Sequence, residues 1–197
     1  MLQPMPRPTL AVPRLSLSAA VLICLAIVLG MAWVQFWMGR PPICKCSAVK
    51  LWHGGLGDAE VSQHLSDWYT FSHILRGFIF YWLLSILSRG HLSVAARLVI
   101  ATLVEGALEV AENSPFILNR THALAISPGD SIVNSIGDML AMVVGFLLAA
   151  RLPAWVTVLL LIATEAALLW LMRDNLILSA IMLIYPVDAI KQWQLAG

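Results

Sequence analysis

The sequence predicts an all-α protein, a polytopic helical transmembrane bundle of about six spans. Three observations carry this. Hydrophobic residues make up 60% of the 197 residues and charged ones 12%, whereas a soluble domain carries roughly 25% charged residues. The mean hydropathy is +0.84. The apolar residues fall into runs of helical length, and none alternates with the two-residue period of a membrane β-strand. The net charge of +1 comes with no basic tract, so nucleic acid is not an expected partner.

Residues 1–14 carry Pro4, Pro6, Pro8 and Pro13 with Arg7 and Arg14. Proline at that density prevents a helix, so a disordered cytoplasmic N-terminus is expected. Residues 15–193 are expected to form a single helical membrane domain. Its first span, about 15–38, is uncharged and too long for a signal-peptide core, and Trp33, Phe36 and Trp37 mark an interface. Residues 39–67 form the longest polar segment, with Gly54, Gly55 and Gly57. The second span, about 68–88, has Ser66 or Asp67 as its cap and Trp68 and Tyr69 at headgroup level. The third runs over about 92–116, the fourth over about 132–150, and the fifth over about 153–172 with Pro153 in its first turn. The last apolar run, Leu176 to Pro186, suits a re-entrant or tilted segment as well as a span. A short sixth span over about 175–190 is preferred, with Lys191 and Trp193 anchoring its far end.

Orientation follows from the basic residues. With the N-terminus inside, Arg7, Arg14, Arg89, Arg97, Arg151 and Lys191 are cytoplasmic, while Arg40, Lys45, Lys50, Arg120 and Arg173 lie outside. Six against five, with two arginines directly before the first span, favours a cytoplasmic N-terminus. Cys24 reads as a small buried hydrophobe. Cys44 and Cys46 form a C-x-C that is either incidental or a redox or structural pair.

Ionisable residues inside apolar helices are costly and face a partner or a cavity. Glu105, Glu109 and Glu112 recur at i, i+4 and i+7, so the third helix carries an acidic stripe that Asn113 extends. Asp130, Asn134 and Asp138 give the fourth a matching stripe. His73 and Arg76 share a face of the second, and Glu165 sits in the fifth. Counted from the outer end, these groups lie at similar depth, which predicts one polar cavity open to the outer face. Four acids (Glu105, Glu109, Asp138, Glu165) facing Arg76 and His73 leave an excess that needs protons, a cation or a polar ligand.

No H-E-x-x-H or G-x-S-x-G motif is present. Gly129-Asp130-Ser131 mimics an esterase box, but at the start of a membrane helix Asp130 or Ser131 reads as a cap. His64, Asp67, His73 and the glutamates have the chemistry of a zinc site, yet no spacing forces them to converge. No metal and no cofactor is assigned.

The strings Ser62-Gln63-His64-Leu65-Ser66-Asp67-Trp68-Tyr69-Thr70, Glu112-Asn113-Ser114-Pro115-Phe116, Gly129-Asp130-Ser131 with Asn134-Ser135 and Asp138, and Arg173-Asp174-Asn175 resemble an uncharacterised family of bacterial multi-pass membrane proteins. The likeness covers about Cys44 to Gln194 and implies a bacterial plasma (inner) membrane location without supplying an activity. That family tends to read S-H-x-x-H-G where this chain has Ser72-His73-Ile74-Leu75-Arg76-Gly77, and arginine cannot replace histidine as a metal ligand. It also tends to have Trp where Leu108 stands. More distantly, the order Asp67, His73, Glu105 or Glu109, Arg120, Asp130, Asn134, Gly145 is similar to VanZ-like membrane proteins, which implies work on the cell envelope.

Two functions are expected from these residues. In the first, an outward-facing intramembrane site handles a lipid or lipid-linked envelope precursor. Glu109 or Asp138 is then acid or base, His73 relays a proton and Arg76 holds an anionic headgroup. Glu112, Asn113, Asn134, Asp130, Asp67 and His64 complete the substrate-binding part. In the second, the acids carry the ion of a proton- or cation-coupled transporter. A structural subunit is a third candidate. Membrane lipids are the expected partners, with a second copy or another membrane protein as further candidates.

Overall fold

The computed structural model describes residues 15–56, 58–121 and 129–195; the expected N-terminal tail at 1–14 lies outside them. The described residues form eight helices: α1 (Leu17–Trp37), α2 (Tyr69–Ser88), α3 (Val94–Glu112), α4 (Pro115–Thr121), α5 (Ile132–Ala149), α6 (Ala154–Met172), α7 (Leu176–Ile184) and α8 (Asp188–Leu195). No strand occurs among them. The fold is the helical transmembrane bundle that the composition predicts.

Four helices, α1, α2, α5 and α6, are long and apolar enough to cross a membrane. Their caps follow the sequence. Ser16 accepts from the Ala19 N–H, Ser93 from Ala96 and Ser131 from Asn134, each at 3.2 Å, which satisfies donors that a helix start leaves orphaned. Asp67 serves α2 by accepting the Tyr69 N–H at 2.8 Å. Helix α3 has 19 residues, so it is as long as the others, but Arg97 and its glutamates make it less apolar. Glu105 and Glu109 are turned inward, at 0% and 1% exposure. The expected third span ends early because Pro115 opens α4 and disfavours helical backbone at Ser114.

Helix α5 is the axis of the bundle. Of its most apolar stretch 61% is buried, against 11% for α1 and 17% for α6. Its closest neighbour is α2, and glycine sets their separation. A Cβ on Gly77 would lie 2.2 Å from the Met142 carbonyl oxygen, and one on Gly145 would lie 2.1 Å from that of Ile74. Small residues at such crossings let membrane helices pack backbone to backbone. Leu75, Phe78 and Ala149 form one buried cluster beside this seam, and Ala101, Met142 and Phe146 another.

The segment before α2 folds over the N-terminal end of α5. The carbonyls of Pro41 and Pro42 accept the N–H groups of Ile132 and Val133 at 2.9 and 3.1 Å, and Ser62 accepts from Ser131 at 2.9 Å. A Cβ on Gly137 would sit 1.9 Å from the Leu65 carbonyl oxygen, so this segment also lies flush on α5. Cys44 and Cys46 are joined as a disulfide.

The last apolar run forms only a short helix, where a sixth span over about 175–190 is expected. Helix α7 has nine residues and rises about 14 Å, under half of a hydrocarbon core of about 30 Å. Tyr185 then leaves the helix in an extended conformation, as the residue before a proline prefers. Helix α8 brings Trp193 back to Arg173, whose Nη1 donates to the Trp193 carbonyl at 3.1 Å. Trp193 therefore anchors the end that the chain left, not the far one.

The α2–α5 seam gives a direct expectation. Gly145→Ala should cost about 1–3 kcal/mol by overpacking and lower the midpoint of thermal unfolding in detergent by several degrees. Gly30→Ala, whose Cβ would meet nothing within 4 Å, should leave the midpoint within a degree or two. Equal midpoints for the two variants would show that the seam tolerates a methyl group.

Candidate functional site

Three helices bring their polar stripes together at one depth. On α2, His73 points Nδ1 at Glu105 Oε1 of α3, 2.6 Å away, with Glu109 Oε1 at 3.5 Å. Its Nε2 faces Asp138 Oδ2 of α5 at 3.7 Å. One turn on, Arg76 reaches Glu112 Oε1 at 2.7 Å through Nη2 and Glu105 Oε1 at 3.4 Å through Nη1. Thr70 Oγ1 donates to Asp138 Oδ1 at 3.0 Å and accepts the Asp67 N–H at 3.0 Å. Glu105 Oε2 and Glu109 Oε2 are buried without a hydrogen-bond partner.

This cluster forms the charged floor of a cavity of about 470 Å³, within the range of about 300–1,000 Å³ typical of ligand pockets. His73, Arg76, Glu112, Asp130 and Asp138 line it. The walls are mostly apolar and include Ile79, Phe80, Leu108, Leu176 and Met182. Ile79 also reaches the outer surface of α2, 38% exposed. Asp58 and Val61, from the segment before α2, place the mouth at that segment's end of the bundle.

The other expected site residues stand behind this surface. Glu109 lies beyond His73, away from the cavity. Asn113 pairs reciprocally with Asp130: its Nδ2 donates to Oδ2 at 2.7 Å and its Oδ1 accepts the Asp130 N–H at 2.8 Å. Asp67 accepts from the Ser62 and Tyr69 N–H groups at 2.9 and 2.8 Å, and so ties the polar segment to α2. Asn134 donates to the His64 carbonyl at 2.8 Å. His64 is fully buried, accepts the Lys50 N–H at 3.3 Å and contacts Glu60 Oε2 at 2.9 Å. It therefore belongs to a separate group with His53 and Glu60, not to a site with His73. The sulfurs of Cys44 and Cys46 are spent on each other.

Glu165 departs from expectation. Its Oε1 and Oε2 accept the N–H groups of Leu176 and Ile177 at 3.1 and 3.3 Å, capping α7 instead of joining the floor. Several residues escaped the sequence reading. Gln35 of α1 is fully buried and donates to Ser135 Oγ at 2.9 Å; a lone amide in an apolar run was the available signal. Thr70 sits three residues before His73, on the same face. Asp174 accepts from Tyr69 Oη at 3.2 Å and from Ser179 Oγ at 3.1 Å. That contact joins positions far apart in the chain, and no local pattern reveals it.

The carboxyl groups between helices respond to burial. Burial lifts Asp130 to about 6 and raises Asp67 and Asp174. Lys50 first, and then His64, hold the half-buried Glu60 down at about 2. A carboxyl raised on folding contributes stability that is full below its unfolded value and lost as the pH climbs through its folded value. The detergent-solubilised protein should therefore unfold a few degrees higher at pH 5 than at pH 7.5, a difference of about 1–3 kcal/mol. Asp130→Asn, which stays neutral and can still accept from Asn113, should shrink that difference. A pH profile of thermal unfolding identical in variant and wild type would exclude Asp130 as a contributor.

A family model described as "Protein of unknown function (DUF2585)" matches residues 35–196. The chain is similar to a UPF0314 protein of Paracoccus denitrificans, 50% identical over 175 residues, covering 87% of this chain and 90% of that one. It is also similar to a UPF0314 protein of Sinorhizobium fredii, 49% identical over 177 residues (88% and 89%), and one of Sphingopyxis alaskensis, 48% identical over 180 residues (89% and 95%). No solved structure matches. These matches do not show the VanZ-like resemblance. They do show the uncharacterised bacterial family that the quoted strings resemble: the chain belongs to the DUF2585 family, whose relatives here are named UPF0314 proteins.

Proposed function

We propose that this chain is a multi-pass protein of the bacterial inner membrane with its N-terminus in the cytoplasm, and that its cavity faces outward and handles a lipid or lipid-linked envelope precursor. One observation carries the reading: a cavity of about 470 Å³ with apolar walls and a floor of His73, Arg76, Glu112 and Asp138. A pocket with that division suits an amphiphile, because acyl carbon prefers the walls and a polar headgroup satisfies the floor. Ile79 lines the cavity and also reaches the outer surface of α2, so a chain can leave sideways between helices. The carboxylates outnumber the cations and suit the hydroxyl, amine or amide donors of a headgroup. Asp138, buried beside His73, has the surroundings of an acid or base.

The orientation rests on the arginines of 1–14 and on the disulfide between Cys44 and Cys46 in the segment before α2, since disulfides persist in oxidising compartments. The tally of basic residues no longer decides it, because the doubling-back of α7 and α8 takes Lys191 away from the far end.

A second reading is favoured by a specific observation. The unpaired, buried Oε2 atoms of Glu105 and Glu109 are what a proton- or cation-coupled transporter offers its ion.

The test is a mass-spectrometric profile of lipids and envelope precursors in a deletion strain, complemented with wild type, Asp138→Asn or Glu109→Gln at equal membrane abundance. Precursor handling predicts that a precursor accumulates or a product disappears in the variants, with activity down at least about tenfold; general acid–base groups typically contribute 10²–10⁴-fold. Unchanged profiles, with gradient-driven uptake in liposomes lost in the same variants, would replace this reading with the transporter.

A further inference from the structure

The floor carries one arrangement that amphiphile handling does not require. We propose that His73, Asp138 and Glu109 hold one divalent metal ion of the zinc class at the edge of the cavity. The inference does not rest on the lipid reading, and its test is made on the protein alone.

His73, Glu109 and Asp138 come from three different helices and are 6%, 1% and 3% exposed. One ligand atom of each lies within 4.8 Å of the other two. Imidazole with carboxylate oxygen is a donor set that zinc accepts, and three protein ligands leave a fourth position for water or substrate. Asp138 and His73 line the cavity, whereas Glu109 does not and approaches His73 at Nδ1, 3.5 Å away.

Three independent features separate this from a plain acidic cluster. First, Glu105 Oε1 sits 2.6 Å from His73 Nδ1. A histidine ligand characteristically donates its other ring N–H to a carboxylate, which fixes the tautomer and leaves Nε2 with its lone pair. Second, Nε2 and Asp138 Oδ2 are 3.7 Å apart. That is too long for a hydrogen bond. Yet two ligands each about 2.0–2.1 Å from one ion, opened by roughly 110–130°, stand about 3.3–3.8 Å apart. Third, Glu109 Oε2 is buried with no hydrogen-bond partner, and buried charges are paired or coordinate metals.

Charge leads to the same place. Arg76 brings one positive charge to both Glu112 and Glu105, so beside a neutral His73 the four carboxylates keep a negative excess, and Asp138 and Glu109 have no cation of their own. A divalent ion there offsets most of that excess. Arg76 itself cannot be a ligand. Here it compensates the outer acid, and Glu109 and Asp138 supply the oxygens.

The full chain, purified in detergent, stripped with EDTA and dialysed, is titrated with ZnCl₂ by calorimetry, and metal content is read by mass spectrometry after desalting. One zinc per chain is expected. Asp138→Asn and Glu109→Gln, both near-isosteric, should lose it while eluting as the wild type does, and Glu105→Gln should weaken it about 10–100-fold. His53→Ala, in the outer group of His53, Glu60 and His64, should retain it. X-ray absorption on the zinc-loaded wild type needs no variant: one imidazole with oxygen ligands and no sulfur is expected. No retained zinc, two imidazoles in the shell, or loss in His53→Ala with retention in Asp138→Asn and Glu109→Gln would each overturn the site.

Discussion

Gly77 and Gly145 let the backbones of α2 and α5 touch, and the chemistry of the floor inherits that closeness. His73 lies one turn before Gly77, and Asp138 two turns before Gly145. A residue with a side chain at either glycine would push the helices apart by the width of a methyl group. His73 Nε2 and Asp138 Oδ2, now 3.7 Å apart, would then separate beyond any shared ion or bridging proton. Gly137 repeats the device against Leu65 and seats the polar segment on α5, so one helix serves as template for both the floor and the mouth.

Burial sets the second constraint. In a low-dielectric interior each carboxylate must be protonated, paired or bound to a cation. Paired groups are easy to recognise: Glu112 with Arg76, Glu105 with His73, Asp130 with Asn113. Glu109 and Asp138 have only long contacts to one imidazole as charged partners, with the Thr70 hydroxyl as a neutral donor to Asp138. Removing a partner from such a group costs several kcal/mol, whereas a cluster already short of partners is one that a ligand completes. The same deficit underlies the precursor, transporter and metal readings alike, which is why they converge on the same residues and diverge only in what fills the gap.

The sequence disclosed much of this because depth in a helix is a linear quantity. Counting turns along α2, α3 and α5 places His73, Arg76, Glu109 and Asp138 at one level, and the structure brings them together. Azimuth is harder. Glu165 has the right depth but the wrong direction, since nothing local says that α6 turns this face toward the N-terminus of α7. The last apolar run was ambiguous for a physical reason: eleven residues are too few to span and too many to ignore, and Pro186 decides the matter only together with the return of Trp193 to Arg173. His64 and Asp67 were drawn toward the site by their chemistry. The backbone carbonyls and N–H groups they satisfy, which hold the polar segment to α2 and α5, have no signature in residue type.

Glu165 shows how the fold spends a buried charge outside the floor. An acid in the apolar α6 is tolerated because its two oxygens take the first free N–H groups of α7, where the helix dipole favours negative charge. That bond holds α7 against the bundle, and α7 presents Leu176, Ser179 and Met182 to the cavity. The apolar wall facing the carboxylate floor thus depends on a charge that never enters the cavity. Asp174 fastens the same helix start through Tyr69 and Ser179, with Tyr69 in the first turn of α2, four residues before His73. Wall and floor are linked through α2, so the width of the cavity is set by the helix that also carries the imidazole.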